Sequence, residues 1–259
     1  MNNEESSPTE YSNSPDLLAT VTKIPITFQL DKLPLTWPSL TAKEQNFLWE
    51  LLPRCRPIVN ALYWMQHHTK TKDEQDSQRP HKPFPDYPYL RVLHNVWMHE
   101  AFLFVEKSRT MLISWWSAAE TLHYVMTHQP SKCLYWAQDL DRAITLLNYA
   151  WTLYEQQDES LKRLYPLQRP RIRQSFDKME LADGGVLLAL PGKDPSKIRG
   201  EHPTIVVIDE ASFIQEGAEA FDVALSSRVP RMLVVSSAAP GWFRRLSKPA
   251  QPISLDEYL

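Results

Sequence analysis

The sequence predicts an α/β fold, with a mainly parallel central sheet flanked by helices and a helical region ahead of it. Three observations predict it. TIVVI (204–208) and RMLVV (231–235) are apolar at every position after the first, which suits strands buried on both faces. From residue 88 to 157, apolar runs of strand and helix length alternate in the order helix, strand, helix, strand, helix. Three of the strands end in polar residues: Lys107 and Ser108, Asp209 and Glu210, Ser236 and Ser237. Parallel strands bring such ends to one edge of a sheet, where open α/β folds bind their ligands.

The elements follow in order. Residues 1–23 are rich in Ser, Asn, Glu and Pro in their first half and are expected to form a flexible tail. A capping box over 41–44 opens a helix over about 42–52, which Pro53 ends. A second helix is expected over 56–68, with Pro57 in its first turn. His67 and His68 adjoin at its end, and neighbours on a helix point to different faces, so they make no metal site. Residues 69–87 are charged and Pro-rich and read as a loop; with the helices before them they make a region over 24–87.

Residues 88–245 make the expected core, followed by a tail over 246–259. A helix over 88–100 leads into a strand ending near Glu106; helix 112–128 and strand 132–138 come next. Asp139 is placed to cap a long helix over 140–157. The segment 158–175 is charged and basic, and 178–192 reads as a hairpin turning at Asp183-Gly184-Gly185. A polar loop over 193–203, strand 204–208, a helix over 216–226 and strand 231–235 complete the core.

Composition narrows the function. The chain has 259 residues, enough for one large or two small domains, and 43% of them are hydrophobic. No run of about 18 apolar residues is present to span a membrane, and the polar, acidic start is no signal peptide. Cys55 and Cys133 lie in apolar contexts and read as buried free thiols, which fits a reducing compartment and gives no metal framework. The net charge of −3 does not advertise nucleic-acid binding, though a local basic surface suffices for it. Basic stretches at 162–173 and 244–248 could touch backbone phosphates. Trp49, Trp64, Trp97 and Trp151 sit in helical patterns and are expected in the core, with Trp115 and Trp116 packed under the loop before them.

That loop is AFLFVEKSRTMLISWW (101–116), a strand, a cationic turn and then a helix. A helix N-terminus offers unpaired N–H groups and a positive dipole end to a phosphate. Lysine adds a point charge, and a Ser or Thr hydroxyl reaches Mg²⁺. Ser114 and Asp209 would hold Mg²⁺, Glu210 would deprotonate an attacking water, and Ser236 or Ser237 could bond the γ-phosphate or that water. These are the parts needed to hydrolyse a nucleoside triphosphate. The spacing departs from G-x-x-x-x-G-K-[ST], since Leu112 and Ile113 stand where Gly and Lys would be, and six glycines in all is few for a nucleotide-binding protein.

VEKSRTMLISW, PGKDPSKIRG, TIVVIDEAS and VVSSAAPGW together resemble the ATPase domain of tailed-phage terminase large subunits, the motors that package viral DNA. The resemblance covers roughly 88–245. It implies a P-loop NTPase of the ASCE type, with ATP and Mg²⁺ as ligands. It places the phosphate loop over Lys107, Ser108, Arg109, Thr110, Met111, Leu112, Ile113 and Ser114, with Lys107 and Arg109 as phosphate contacts. Asp209 becomes the Walker B carboxylate, Glu210 the catalytic one, and Ser236-Ser237-Ala238 the coupling motif. Arg199 is near the site by resemblance and is the best candidate for a trans-acting arginine finger, ahead of Arg142, Arg228, Arg231, Arg244 and Arg245.

Double-stranded DNA, a portal protein and a small terminase subunit are the implied partners. A homo-oligomeric ring, a pentamer when active, is the implied assembly, and the host cytoplasm the implied place. Thr110 replaces the family's usual Gln and Leu112 its usual Gly. A Leu Cβ restricts φ, so the loop is expected either to take another path or to bind phosphate less well. The family's nuclease domain has no counterpart before the chain ends in DEYL, so the nuclease is expected on a missing segment or a separate polypeptide, and no DNA cleavage from this chain alone. Two other readings stay open: a weakly hydrolysing assembly module that docks on portal or small subunit, and a helicase-like ATPase.

Overall fold

The structure is a computed structural model and describes residues 56–247 apart from 73–75, 77, 109, 110 and 193. The tail over 1–23, the capping box and helix over 41–52, Trp49, Cys55 and the segment beyond 247 lie outside the described residues, as do Arg109 and Thr110 of the loop. Residues from Arg56 onward belong to one compact unit.

The expected single helix over 56–68 is two pieces. A helical turn over 56–59 stops at Asn60, whose backbone is extended, and α1 (Ala61–His67) begins after it. The Asn60 side chain accepts a hydrogen bond from Tyr63 N–H at 2.7 Å. Asparagine caps helices well, so it restarts one in the middle of an apolar-periodic run. The charged stretch after it is more ordered than a loop. It holds an antiparallel ribbon, β1 (Lys70–Lys72) and β2 (His81–Pro83), with Thr71 buried between exposed lysines.

The core elements fall close to their expected places. They are α2 (Pro88–His99), β3 (Phe102–Lys107), α3 (Ile113–Thr127), β4 (Lys132–Ala137) and α4 (Leu140–Glu155). Asp139 caps α4 by accepting from Arg142 N–H at 2.9 Å. The basic segment folds into α5 (Glu159–Leu164) and a 3-10 turn at Arg171–Arg173. The hairpin is β5 (Lys178–Glu180) and β6 (Val186–Pro191), and its turn places Gly184 at φ 89°, a conformation side chains resist. The expected polar loop after it contains α6 (Ser196–Glu201), whose only buried residue is Ile198. One apolar residue in six makes no periodic signal. Then come β7 (Ile205–Ile208), α7 (Gly217–Ser226), β8 (Arg231–Ser237) and α8 (Trp242–Ser247).

The six main strands lie in the order β3-β8-β7-β4-β6-β5, and every neighbouring pair is parallel except β5 with β6 at the edge. The central strands are buried on both faces, as their unbroken apolar runs require. Cys133, Tyr135, Ile205, Val207, Leu233 and Val235 face one core with α3 and α4. Leu134, Trp136, Val206, Ile208, Met232 and Val234 face the other with α7 and α8. Trp64, Trp97, Trp116 and Trp151 are at most 2% exposed, so they serve packing and are closed to base stacking.

Helices α2 and α3 are pinned by a buried ion pair. His94 Nδ1–H donates to Glu120 Oε1 at 2.7 Å, and Trp116 Nε1–H donates to the same oxygen at 3.1 Å. Burial alone would lower the His94 pKa, but Glu120 outweighs it and holds the imidazole above its ordinary value. A cation whose pKa is higher folded than unfolded stabilises most below the unfolded value, and that contribution fades as pH rises through the folded one. Unfolding free energy is therefore expected to fall as pH is raised above about 6.5, and Glu120→Gln to flatten that slope. Glu120→Ala, which strands His94 in the core, should cost about 3–5 kcal/mol in denaturant titration.

Candidate active site

The parallel register brings the ends of three strands to one edge of the sheet. Lys107 at the end of β3 pairs with Ser237 at the end of β8, and Ile208 at the end of β7 pairs with Val234. Asp209 and Glu210 continue from β7 over the same edge. Asp209 N–H donates to Trp136 O of β4 at 2.9 Å, which holds its backbone in line with the sheet.

Glu210 is held on both carboxylate oxygens. Lys107 Nζ donates to Oε1 at 2.7 Å. Ser237 donates to Oε2 from Oγ at 3.3 Å and from its backbone N–H at 3.4 Å. Burial pushes the Glu210 pKa up, but Lys107 and then Ser237 outweigh it, and the carboxyl sits below its ordinary value. Its backbone is left-handed, φ 51° and ψ 43°, which costs a side-chain residue about 1–3 kcal/mol and is kept only where surroundings impose it.

Asp209 stands in the opposite condition. Burial raises its pKa to about 6, against a partial offset from the Lys107 charge and with a further push from Glu210. Ser114 Oγ–H donates to its Oδ2 at 3.3 Å, while Oδ1 is buried with no hydrogen-bond partner among the described residues. A buried orphan oxygen beside a hydroxyl is a fit for a hard cation or its water. Among the described residues no group of three His, Cys, Asp or Glu side chains could hold a metal. A Mg²⁺ here would thus take Ser114 and Asp209 from the protein and other oxygens from phosphate and water.

The phosphate-loop residues divide. Ser108 is exposed, and Met111 and Leu112 pack partly against the core. Ile113 is buried at the first position of α3, and Ser114 follows it at the edge. Leu112 caps α3 with no side-chain hydrogen bond, and no acidic residue stands in the first turn. The N-terminal N–H groups of a helix then remain available to an anion. At Leu112 itself φ is 54° and ψ 15°, in the left-handed region that glycine favours, so its Cβ does not keep the backbone out of that region. Packing of the Leu side chain and Tyr89 of α2, whose hydroxyl donates to Met111 O at 2.9 Å, brace the loop in that shape.

Ser236 is fully buried and works through the backbone. Its Oγ accepts from Ser212 N–H at 2.9 Å and donates to Ser237 O at 3.0 Å. Trp242 ties α8 to the same turn, donating from Nε1 to Ala211 O at 2.9 Å. Gly217 makes room for that indole: a Cβ there would come within 2.5 Å of it. Arg199 is exposed on α6. A cleft of about 200 Å³ opens beside the acidic pair, lined by Ser114, Asp209 and Glu210 together with Arg142, Thr145 and Tyr149 of α4. Sequence reasoning missed Tyr89, Ser212, Thr145 and Tyr149. Only the spacing of Arg142, Thr145 and Tyr149 on one helix face, directly after a strand end, could have signalled the last two.

No family model matches the chain, and no curated protein matches it in sequence. Among solved structures, the HK97 bacteriophage large terminase is 11% identical with a TM-score of 0.50, over 69% of this chain and 37% of that one. The chain is similar in fold to phage large-terminase ATPase domains. It matches the large terminase ATPase domain of Thermus phage P74-26 at 16% identity and a TM-score of 0.46, over 63% of this chain and 69% of that domain. The N-terminal domain of the DNA packaging ATPase from bacteriophage phi29 is 12% identical with a TM-score of 0.45, over 64% of this chain and 87% of that domain. At such identities the likeness concerns the fold, and it rests on HK97, of which this chain spans little more than a third. No helix among the described residues is long and apolar enough to cross a membrane.

Two outcomes check this geometry. At a left-handed position glycine should beat alanine, so Leu112→Ala is expected to be about 1 kcal/mol less stable than Leu112→Gly, the reverse of the usual order in a helix. Because the Asp209 pKa is pushed up to about 6, its carboxylate is lost below that pH. The increase in thermal midpoint given by Mg²⁺ with a non-hydrolysable ATP analogue should therefore shrink below about pH 6 and vanish in Asp209→Asn.

Proposed function

We propose that this chain is an ATPase domain of a viral terminase large subunit, whose ATP hydrolysis powers translocation of double-stranded DNA into a procapsid. The observation that carries the reading is the network joining Lys107, Glu210 and Ser237 across three strand ends, with Ser114 and Asp209 beside it. A cation, a carboxylate pair and a free helix N-terminus at one sheet edge suit phosphoryl transfer to water better than they suit a passive docking surface.

In this reading the α3 N-terminus and Lys107 hold the β- and γ-phosphates. Ser114 and Asp209 hold Mg²⁺, which when bound neutralises charge on the phosphate oxygens. Glu210 takes the proton of the attacking water. Without nucleotide, Lys107 occupies Glu210 and keeps its basicity low. A phosphate that draws Lys107 away raises the affinity of the carboxylate for a proton, so the base is armed only with substrate in place. Ser237 senses that change through its two hydrogen bonds to Glu210, and Ser236 passes it to the turn carrying Ser212. Arg199, exposed on α6, is the proposed finger offered to a neighbouring subunit of a ring, with portal, small terminase subunit and DNA as the other partners.

The test is ATP hydrolysis against protein concentration, with and without double-stranded DNA. Glu210→Gln should lower turnover by about a hundredfold or more and leave ATP binding nearly intact. Activity rising faster than concentration supports an arginine supplied in trans, and stimulation by DNA supports translocation. Tight nucleotide binding with no hydrolysis under any condition would replace this reading with the assembly module.

A further inference from the structure

The cleft beside Glu210 is lined by a cation that the proposed chemistry has not used. We infer that Arg142 is a catalytic residue acting in cis, its guanidinium contacting the terminal phosphoryl group as it is transferred to water. The inference rests on the hydrolase reading above and deepens it.

Topology supplies the first argument. Lys107 ends β3, two strands to one side of β7, and Arg142 follows β4, the neighbour of β7 on the other side. The two cations therefore approach the Asp209–Glu210 turn from opposite flanks. Arg142, Thr145 and Tyr149 share one face of α4, and they line the same cleft as Ser114, Asp209 and Glu210. At about 200 Å³ the space holds about half a dozen waters. That suits a phosphoryl group with its attacking water.

Charge supplies the second. The cleft brings together two carboxylates and would receive a terminal phosphate, and among the described residues the lysine beside them is already paired with Glu210. Arg142 is free to respond. Among the described residues its ion pair is with Asp139 at 3.4 Å, with both side chains about half exposed, and such pairs are weak. Asp139 is the cap of the same helix, so Arg142 is parked on its own element at the mouth of the site. Arg231, by contrast, is committed to structure: it donates to Trp97 O and lies 4.0 Å over the Trp97 ring.

The step balances without further reagents. A water oxygen forms a bond to the γ-phosphorus as the bond to the β,γ-bridging oxygen breaks. The bridging oxygen leaves with the electron pair on ADP, and the water proton passes to Glu210. Arg142 neither gives nor takes a proton; its planar fork donates hydrogen bonds to the equatorial oxygens, where charge gathers.

The experiment compares Arg142→Ala and Arg142→Lys with the wild-type chain and Glu210→Gln. Binding of ADP with Mg²⁺ is measured with and without aluminium fluoride, which mimics the transferring phosphoryl group, beside kcat, KM and the thermal midpoint. Arg142→Ala should bind ADP within about twofold of wild type, lose the tightening by aluminium fluoride, and drop kcat by about a hundredfold or more at little-changed KM and thermal midpoint. Arg142→Lys should recover little, since a point charge does not replace the fork. Mixing Arg142→Ala with Glu210→Gln subunits should restore no activity, whereas Arg199→Ala mixed with Glu210→Gln should.

Equal tightening by aluminium fluoride in wild type and Arg142→Ala overturns the assignment, whether or not the chain turns over alone. Wild-type kcat in Arg142→Ala beside an inactive Glu210→Gln overturns it too and leaves the hydrolase reading standing. Rescue of Arg142→Ala by mixing overturns the cis placement. Unchanged turnover in Glu210→Gln as well brings down both readings together.

Discussion

A lysine at the end of β3 and a glutamate beyond β7 can meet only if the strand between them ends at the same height. β8 does so: its last residue, Ser237, is level with Lys107. The ion pair then passes over the end of β8, and Ser237 itself closes the network from below. Lys107 is only 9% exposed and Glu210 25%, so removing either would leave a largely desolvated charge behind. The site therefore depends on parallel register. One residue of slip in β8 would turn Ser236 and Ser237 to opposite faces and break the clamp.

Around that pair the two carboxylates are pushed apart. Glu210 is stabilised as the anion by a lysine and two donors, whereas Asp209 is penalised by burial and has one oxygen without a partner. Neighbouring acids in unlike surroundings take unlike roles. An anion held by a displaceable lysine is suited to becoming a base, and an acid with an orphan oxygen is suited to receiving a cation.

Two of the four non-glycine residues with positive φ among the described residues lie at the same edge. Leu112 and Glu210, on either side of the site, both hold left-handed backbones without being glycine. Tyr89 braces the first, and the second is fixed between β7 and the turn that Trp242 and Ser236 secure. Leu112 and Glu210 are thus held in shapes the local chain would not choose, which is the preorganisation an anion site needs.

Much of this was legible in the residues. Unbroken apolar runs dictated doubly buried strands, because a strand covered on both faces has no position to spare for a polar side chain. Asp139 and the Asp183-Gly184-Gly185 turn announced a cap and a hairpin through local chemistry alone. The acids, serines and lysine at strand ends followed once the strands were parallel. Asn60, the ribbon in the charged segment and α6 were hidden, since a cap inside a periodic run and elements with one buried residue leave no pattern. The sequence by itself determined the sheet, its helices and the set of chemical groups at one edge. Only the tertiary structure decided that Lys107 pairs with Glu210, that Leu112 takes a glycine's conformation, and that Arg142 lines one cleft with the acids. Those outcomes turn on strand order, register and packing between residues far apart in the chain, which no local spacing encodes.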